Sequence, residues 1–466
     1  MIKNKLILPG AKVAVMGLGI SGRSAARYAL ACGAEILVSE VRDEKQLLEE
    51  EGGFLKTSVL DWEAGGHTLN FLLGADLVLV SPGVDLLTPL ISELKKVGKK
   101  IAGELAVVSS QFDVPVVAVT GTNGKTTVTT LIGEILEKSG KRVFVGGNIG
   151  TPLYDFFLSK KKYDLVVAEV SSFQLETAGD FAPDVALLLN ITADHLDRHR
   201  TLENYIEAKM LLFRNQNERQ VAIVNGDDLY CQNLDPDFSA DFFSFGGNKY
   251  NDLIIDGGTL TLMREGGRKE FSLDQLDCTT GFMAENYAAT ILALDALSCS
   301  AEVIERGLDE FQSLPHRLEF VLEADGVKYY NDSKATNTGA VIGALQQLDE
   351  KIILIAGGRD KGENYSVLRE VVQGKVRLLV LIGEASGLIE QALNGAVKTV
   401  AANSLAEAVD FANDAAEHGD TVLFSPACAS FDMFDSYAHR GNEFKRIVRE
   451  SCSMTVPAKL TEIVKG

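Results

Sequence analysis

The strongest constraint on the fold of this chain is a series of short apolar runs that alternate with segments of helical length. Examples of these runs are AKVAVM, VPVVAVTG, DLVVAEV, KIILIAGG and TVLFSPA. Strands that are apolar on both faces belong in parallel sheets that helices cover on both sides. The sequence therefore predicts an α/β protein built on parallel sheets.

The length and the spacing of the glycine loops indicate more than one domain. A chain of 466 residues exceeds the usual size of a single hydrophobic core. We expect a Rossmann-like domain at 1–108, a central phosphate-loop domain at 109–313 and a second Rossmann-like domain at 314–466. Residues of about 230–275 alternate by twos, which predicts a small antiparallel subsheet inside the central domain.

Composition limits the partners of the chain. A net charge of −20 argues against nucleic acid and anionic membranes as partners. No run approaches the ~18 apolar residues of a membrane span, and no secretory signal is expected at the N-terminus. The six cysteines are scattered without CxxC pairs, which is typical of reduced thiols. We expect a cytoplasmic monomer that acts on small molecules.

A first glycine motif, Gly17-Leu-Gly19-Ile-Ser-Gly22, follows the run AKVAVM and opens a helical segment. Small residues let backbone amides approach a diphosphate at a helix N-terminus, and Glu40 lies near the distance at which an acid meets a ribose hydroxyl. The motif predicts a nucleotide that carries a diphosphate, without specifying a nicotinamide. A glycine turn that only packs a helix on a strand is the alternative.

A second motif lies in VVAVTGTNGKTTVTTL, residues 116–131. Only two residues separate Gly121 from Gly124, whereas the usual phosphate loop has four. Lys125 can still reach the β and γ phosphates, the Thr126 hydroxyl can bind Mg²⁺, and the amides up to Thr127 can cap the phosphates. Strand, loop and helix occur in the required order, so we predict an ATP site.

Polar residues follow later strands of the same predicted sheet. Glu169 ends DLVVAEV, Asp194, His195 and Asp197 follow DVALLLNIT, and Lys209 lies on an amphipathic helix. Strand ends of one open sheet converge on one crevice, so the acids could complete a metal site. Each residue also has an ordinary explanation as a helix cap, a structural histidine or a solvated lysine.

The third domain carries hydroxyls and cations at its predicted strand ends, in LPHRLEF, NDSKATN, GGRDKG and SPACASFD. Some of the hydroxyls could be simple helix caps, but Lys334 and Lys361 do not fit that explanation. This set suits a small molecule with several negative charges.

Taken in order, GLGISG, SPGV, TGTNGKTT, GGNIGTP, EVSSFQLE, NITADHLDRH, PHRLEF, NDSKATN and SPACASFDMF resemble the Mur ligases of peptidoglycan synthesis. The match is closest to the member that adds D-glutamate to UDP-N-acetylmuramoyl-L-alanine. The resemblance implies an ATP-dependent, ADP-forming ligase that makes an amide bond through an acyl phosphate. It also implies Mg²⁺ and a lysine carbamoylated by CO₂.

The resemblance assigns site residues by position. The nucleotide-sugar positions are Ile20, Ser21, Glu40, Arg42, Ser81 and Gly83, and the muramoyl-peptide positions are Asn148, Ser171 and Gln174. The ATP positions are Gly121, Asn123, Gly124, Lys125, Thr126, Thr127, Asn286, Arg317, Asp332 and Lys334. Thr126 and Glu169 match the ligands of one Mg²⁺, and His195 with carbamoylated Lys209 matches the second metal site. The D-glutamate pocket matches Thr336, Lys361, Ser430 and Tyr437, and the implied catalytic set is Lys125, Glu169, His195 and Lys209.

The sequence departs from the family pattern in three places. Glu40 stands where aspartate is common, Glu285 and Ala289 flank Asn286 where His and Asn are expected, and Tyr437 stands where phenylalanine is common. The first two affect ribose and adenine contacts. No residue is an obvious general base, because a His195 that binds metal could not serve as one.

Four alternatives were open. A nicotinamide dehydrogenase would explain only the first ~110 residues. A folylpolyglutamate synthase shares the short phosphate loop but lacks the preceding domain. Sister Mur ligases use other amino acids, and NDSKATN and SPACASFDMF favour glutamate over them. A non-catalytic nucleotide-binding scaffold is disfavoured because the whole predicted catalytic and metal set is present: Lys125, Thr126, Glu169, His195 and Lys209.

Overall fold

The computed structural model describes residues 2–231, 239–264, 267–273, 282–311, 314–348 and 351–454. The chain forms two compact units. The first comprises Met1–Ile191, Glu203–Leu276 and Met283–Glu310, and the second comprises Thr192–Leu202, Asp277–Phe282 and Phe311–Gly466.

The first sheet of unit 1 is a five-stranded parallel sheet in the order β3-β2-β1-β4-β5. Its strand order reverses beside β1, where open α/β sheets bind their ligands. The Rossmann-like prediction is confirmed. The elements are β1 (Lys12–Met16), α1 (Ile20–Ala31), β2 (Glu35–Ser39), α2 (Glu44–Ser58), β3 (Asp61–Glu63), α3 (Leu69–Leu73), β4 (Leu77–Val80), α4 (Pro89–Lys96), β5 (Lys100–Ala102) and α5 (Glu104–Val108).

The second sheet of unit 1 has nine strands in the order β14-β13-β12-β11-β10-β9-β6-β8-β7. Its central strands β6 and β8 are buried at every position, as their continuous apolar runs predict. The elements, with α9 belonging to unit 2, are β6 (Val116–Thr120), α6 (Lys125–Lys138), β7 (Val143–Gly147), α7 (Tyr154–Leu158), β8 (Leu165–Glu169), α8 (Ser172–Leu175), β9 (Val185–Leu188), α9 (Leu196–His199), α10 (Leu202–Met210), β10 (Val221–Asn225), β11 (Asp241–Gly246), β12 (Leu253–Asp256), β13 (Thr259–Arg264), β14 (Gly267–Ser272), α11 (Phe282–Ala296) and α12 (Ala301–Asp309).

The strands predicted as a small antiparallel subsheet form one end of this sheet. Strand β11 pairs in parallel with β10 and β12, and the antiparallel pairing begins only at β12–β13 and β13–β14. The two-residue turn at Gly257-Gly258 fixes the first hairpin, whereas nothing local fixes the partner of β11. Alternation therefore predicted the strands correctly but not their place in the sheet.

Unit 2 contains a six-stranded sheet in the order β15-β16-β20-β17-β18-β19, parallel except for the β15–β16 pair. Neighbouring residues Ile353 and Leu354 of β17 enter different cores on the two faces of the sheet. The elements are β15 (Glu319–Ala324), β16 (Val327–Asn331), α13 (Thr338–Gln347), β17 (Ile352–Gly357), a 3₁₀ helix (Tyr365–Leu368), α14 (Arg369–Lys375), β18 (Val376–Ile382), α15 (Ser386–Leu393), β19 (Thr399–Ala401), α16 (Leu405–Ala415), β20 (Thr421–Phe424) and α17 (Tyr437–Met454).

The fold class predicted from the sequence is confirmed, since all three sheets are dominated by parallel strands with helices between them. Within the described ranges, no helix combines the length and the apolar character that crossing a bilayer requires. The boundaries at 108/109 and 313/314 stay predictions.

Candidate active site

The predicted nucleotide-sugar residues lie at the carboxyl ends of β1, β2 and β4, which are neighbours in the first sheet. Ile20 begins α1 and is largely exposed, and Ser21 beside it is half-buried. The Ser81 hydroxyl donates to the carbonyl of Gly17 at 2.9 Å, which ties the turn after β4 to the glycine loop. Gly83 lies exposed in that turn.

Glu40 and Arg42 hold both backbone groups of Leu18 in the glycine loop. The Leu18 N–H donates to Glu40 Oε2 at 2.6 Å, and Arg42 Nη2 donates to the Leu18 carbonyl at 3.1 Å and to Glu40 at 2.8 Å. Burial by itself would raise the pKa of Glu40, but Arg42 and the backbone N–H groups hold that pKa at about 2. Glu40 is therefore ionised near neutral pH and holds the glycine loop in place through the Leu18 N–H.

The phosphate loop connects β6 to α6. Gly124 is the N-cap of α6 with φ of 85°, a conformation that favours glycine, and a Cβ there would overlap the Asn286 side chain. Asn286 of α11 therefore lies directly against the loop. Thr126 is half-buried and Thr127 is buried in the first turn of α6. Backbone N–H groups at a helix N-terminus favour an anion, as the sequence predicts.

Lys125 folds back over its own loop. Its ammonium donates to the carbonyls of Gly121 at 2.9 Å and Thr122 at 2.8 Å. Asn190, which follows β9, holds the phosphate loop through two hydrogen bonds. Its backbone carbonyl accepts from Thr122 N at 2.9 Å, and its side-chain Oδ1 accepts from Asn123 N at 2.8 Å. The sequence analysis missed Asn190, since an amide after a strand carries no specific signal.

Glu169 lies at the end of β8, beside β6 in the sheet, and is 2% exposed. Its Oε1 accepts from Asn148 Nδ2 at 2.7 Å, while its Oε2 is buried and has no hydrogen-bond partner among the described residues. A buried carboxylate oxygen in this state is suited to a hard cation. Among the described residues, no three His, Cys, Asp or Glu side chains form a cluster that could hold a metal ion.

Ser171 and Gln174 form a capping box at the start of α8, after β8. Gln174 N donates to Ser171 Oγ at 3.2 Å, and Gln174 Oε1 accepts from Ser171 N at 3.0 Å and Ser171 Oγ at 3.0 Å. Asn148, the third predicted muramoyl-peptide residue, is bound to Glu169 as described above. These three side chains therefore flank Glu169 at one edge of the second sheet.

Lys209 is 1% exposed on α10 and points at the phosphate loop. Its ammonium donates to the Gly121 carbonyl at 2.7 Å and lies 4.5 Å from the centre of the Tyr205 ring. The Tyr205 hydroxyl is 3.1 Å from Thr122 Oγ1. The Lys209 side chain thus extends from α10 to the phosphate loop and not into solvent. His195, with a left-handed φ of 56°, belongs to unit 2.

Near Asn286, the departure at Glu285 has a local consequence. Burial raises the pKa of Glu285 to about 7, with Asp227 and Asp228 adding to the shift and a hydrogen bond with Asn225 opposing it. A histidine at this position would be neutral or cationic, whereas Glu285 is neutral or anionic. How the adenine is contacted stays a prediction.

In unit 2, the predicted residues follow β16, β20 and β17, which are neighbours in the third sheet. Asp332 is buried, and its carboxylate accepts from Ser425 Oγ at 2.7 Å and Leu318 N at 3.2 Å. Burial raises the pKa of Asp332 to about 7, although Ser425, the Leu318 N–H and Arg317 oppose the shift. Arg317 therefore lies close enough to act on Asp332 electrostatically.

Lys334 and Tyr437 are in direct contact. The Lys334 ammonium lies 3.8 Å from the centre of the Tyr437 ring, a cation–π contact that joins a predicted ATP residue to a predicted glutamate residue. Thr336 is half-buried next to Asn337, the N-cap of α13. Ser430 is buried, and its carbonyl accepts from Phe434 N at 2.8 Å.

Asp194 joins Lys361 in a buried ion pair, with Lys361 Nζ 2.5 Å from Asp194 Oδ1. Asn337 Nδ2 donates to Asp194 Oδ2 at 3.1 Å. Burial alone would raise the pKa of Asp194, but Lys361, His195 and Asn337 hold that pKa at about 2. Asp194, which the sequence offered as a possible metal ligand, is thus paired with Lys361.

Glu363 lies beside this pair and accepts from Thr338 N at 3.1 Å and Oγ1 at 3.0 Å. Burial, with the charge of Asp194, raises the pKa of Glu363 to about 7. The sequence analysis missed Asn337 and Glu363, which look like ordinary capping residues. Most of the predicted residues thus lie at strand ends within each unit, whereas Lys209 and Asn286 lie on helices and Arg317 precedes β15. Their roles stay predictions.

Three successive family models match the chain. They are the Mur ligase MurD-like N-terminal domain at residues 11–103, the Mur ligase middle domain at 119–294 and the Mur ligase glutamate ligase domain at 316–428. The order of these matches gives the chain the three-domain architecture of that family.

Relatives cover the chain almost completely. A protein of Desulfotalea psychrophila named UDP-N-acetylmuramoylalanine--D-glutamate ligase is 51% identical over 96% of this chain and 97% of its own. The structure of a pseudomurein peptide ligase type C from Methanothermus fervidus has the same fold, with 18% identity, a TM-score of 0.62 and coverage of 95% and 100% of the two chains. A MurF ligase from Thermotoga maritima, solved with ADP, shares the fold at 18% identity and a TM-score of 0.60 over 96% of each chain. The chain therefore belongs to the Mur ligase family.

Proposed function

We propose that this enzyme joins D-glutamate to UDP-N-acetylmuramoyl-L-alanine in peptidoglycan precursor synthesis, converting ATP to ADP and phosphate. The observation that carries the proposal is the near-full-length relative at 51% identity, whose name states this reaction. The phosphate loop, the buried Glu169 and the cationic third sheet are consistent with it. We further propose that the enzyme acts as a cytoplasmic monomer.

The chemistry follows from the poor reactivity of a carboxylate. A carboxylate oxygen of the nucleotide sugar attacks the γ-phosphorus, ADP leaves, and an acyl phosphate forms. The amine of D-glutamate then attacks the carbonyl carbon, and phosphate leaves with one former carboxylate oxygen. The amine gives up a proton as the amide forms. No described residue stands out as the base for that proton.

The loop residues have the task of binding and orienting phosphate. Lys125 is held by carbonyls of its own loop, so nucleotide phosphates would replace these acceptors with stronger, charged ones. The N–H groups of the first turn of α6 point toward the same place. Asn190 keeps the loop rigid during this exchange.

Glu169 and Thr126 are the residues that would hold Mg²⁺, because the buried Glu169 Oε2 has no other partner. Bound Mg²⁺ would offset the repulsion between the phosphates and the acceptor carboxylate. Asn148 fixes the other Glu169 oxygen and so sets the direction of Oε2.

For Lys209, we propose carbamoylation by CO₂. The uncharged amine attacks CO₂, a C–N bond forms, and a proton leaves, so that a cation becomes an anionic oxygen ligand. His195 is proposed as the second protein ligand at that site.

The pocket for D-glutamate is proposed around Thr336, Lys361, Ser430 and Tyr437. Lys361 offers a cation to one of the two carboxylates of the amino acid. Its ammonium is already fixed by Asp194, so its position would not depend on the ligand. The Tyr437 ring and Lys334 form a second, adjoining polar surface.

The test is phosphate release from ATP and Mg²⁺, with UDP-N-acetylmuramoyl-L-alanine and each of D-glutamate, L-glutamate, L-alanine, L-lysine and meso-diaminopimelate. We expect release only with D-glutamate, together with the amide product of matching mass. Turnover with another amino acid would leave the ligase chemistry intact and overturn the assigned amino acid. Absence of turnover with every pair would overturn the ligase proposal.

A further inference from the structure

A buried carboxylate outside the proposed machinery contacts the muramoyl-peptide residues. Glu104, the first residue of α5, is 5% exposed. Its Oε1 accepts from Tyr154 N at 3.3 Å, and its Oε2 accepts from Gln174 Nε2 at 3.2 Å. Both partners belong to unit 1. An ionisable group buried this far carries a desolvation penalty, so its retention needs an explanation.

The backbone before Glu104 is fitted closely to α8 and the residues that follow it. A Cβ at Gly103 would overlap the Thr177 side chain, so residue 103 must be glycine for α5 to approach this closely. Ser81 and Pro82 of the turn after β4 line a narrow cleft together with Glu104 and Gln174. The cleft thus connects a predicted nucleotide-sugar residue with a predicted muramoyl-peptide residue.

The contact with Glu104 decides which way the Gln174 amide faces. An amide side chain has the same shape in both orientations, but one end donates and the other accepts. Because Glu104 offers only acceptors when ionised, Gln174 must turn its NH₂ group toward it. Gln174 Oε1 then faces Ser171 and accepts from both its N–H and its hydroxyl.

We propose that Glu104 is a positioning residue for the muramoyl-peptide end of the nucleotide sugar, which it controls by orienting Gln174 and, through Gln174, the Ser171 hydroxyl. The inference rests on the proposed function. Reversing the amide would point a donor at Ser171 N, break the capping box and free the hydroxyl to turn.

Protonation of Glu104 gives the arrangement a pH dependence. Burial raises the pKa of Glu104 to about 7; the N–H groups of Tyr154 and Leu153 and the Gln174 amide oppose the shift, and Asp155 adds to it. Within the described residues, the ionisable groups facing Glu104 are Tyr154 and Asp155 of α7. Burial keeps the pKa of Tyr154 well above its usual value, so its hydroxyl stays neutral. As the pH falls through about 7, a proton on Oε2 would remove the acceptor for Gln174.

The experiment compares wild type with Glu104→Gln. Tyr154 N and Gln174 Nε2 bind different oxygens of Glu104, so a glutamine in the same orientation would place its NH₂ group against one of these two donors. We expect KM and Kd for UDP-N-acetylmuramoyl-L-alanine to rise about tenfold at pH 8, the scale of one hydrogen bond. We expect kcat within about twofold of wild type, because the phosphate loop is untouched. The wild-type KM should rise as the pH falls through about 7, and the variant should lack this dependence.

Two further variants separate positioning from a general effect of burial. Glu51→Gln removes another glutamate that is 5% exposed in the same unit, paired with Arg23, and should leave KM unchanged. The double variant Glu104→Gln, Gln174→Glu restores a donor opposite an acceptor and should recover most of the lost affinity. It also makes residue 174 the glutamate of an S-x-x-E capping box.

An unchanged KM and pH profile in Glu104→Gln would overturn the inference, and so would a double variant that recovers none of the lost affinity. Wild-type binding of the nucleotide sugar without turnover would count against the proposed reaction and leave the Glu104 comparison of Kd intact. The two failures are therefore distinguishable.

Discussion

The Lys209 ammonium donates to the carbonyl oxygen of Gly121 at 2.7 Å, inside the protein and at the first glycine of the phosphate loop. A lysine at this place can serve the loop as a cation or, once carbamoylated, serve a metal as an anion. The two possibilities can be distinguished in a Lys209→Ala variant, because an added small carboxylate could replace a carbamate but not a cation.

Lys209→Ala should lower kcat by about 100-fold or more, the usual scale for loss of a metal-site group. If the carbamate is the working form, formate or acetate should restore part of the activity, because a small carboxylate can occupy the vacated space. Lys45→Ala, at an exposed position on α2, is the control. Full activity in Lys209→Ala without added carboxylate would contradict the account.

Lys125→Ala should lower kcat by about 10³-fold, as expected when a donor to developing phosphate charge is removed. The matched control lies on the same helix: Lys138→Ala removes a surface ion pair with Glu310 at 3.0 Å. Comparable losses in both variants would show that the effect comes from helix α6 and not from the phosphate contact.

Glu169→Gln should reduce activity about 100-fold and raise the Mg²⁺ concentration needed for half-maximal rate. At the same time its Tm in the absence of Mg²⁺ should equal or exceed that of the wild type. The reason is that Glu169 Oε2 is buried without a partner, and a neutral amide costs less to bury. Differential scanning fluorimetry and a Mg²⁺ titration measure the two effects. Lower stability with unchanged Mg²⁺ dependence would refute the metal assignment.

The Asp194–Lys361 pair should contribute to stability in a pH-dependent way. Because the pKa of Asp194 falls from an unfolded value near 4 to about 2, its contribution is complete above about pH 4 and is lost as the pH falls through 2. Lys361→Met leaves a buried carboxylate unpaired, and we expect a loss of about 3–5 kcal/mol in the free energy of unfolding.

Adding Asp194→Asn to Lys361→Met should recover part of that loss, since the remaining charge is removed. Arg359→Ala, which breaks an exposed pair with Glu384, should cost at most about 1 kcal/mol. Urea unfolding of the wild type, Lys361→Met, Asp194→Asn and the double variant measures this cycle, with Arg359→Ala as the control. Additive losses from the two buried substitutions would mean that the pair is not coupled.

Local patterns explain why much of the fold could be predicted. Continuous apolar runs identified buried strands such as β6 and β8, and the residue just after such a strand lies at the ligand-binding edge of the sheet. Lys125 and Glu169 could be placed in this way without knowledge of the pairing. Gly124 likewise indicated the N-terminus of helix α6.

What could not be predicted depends on pairings between distant residues. Lys361 and Asp194 are 167 residues apart, and only the topology of unit 2 joins them. The parallel pairing of β11 is of the same kind, as is the contact of Glu104 with Gln174, 70 residues away. An acidic residue in a helical segment is most often exposed to solvent, so the sequence did not indicate that Glu104 is buried.

The most direct test of the central claim follows an oxygen atom. UDP-N-acetylmuramoyl-L-alanine labelled with oxygen-18 in the alanine carboxylate is incubated with the enzyme, ATP, Mg²⁺ and D-glutamate, and the released phosphate is analysed by mass spectrometry. The account predicts one oxygen-18 in each phosphate, because the carboxylate oxygen that attacks phosphorus leaves with it. Unlabelled phosphate alongside amide product would contradict the acyl-phosphate reaction proposed for this site.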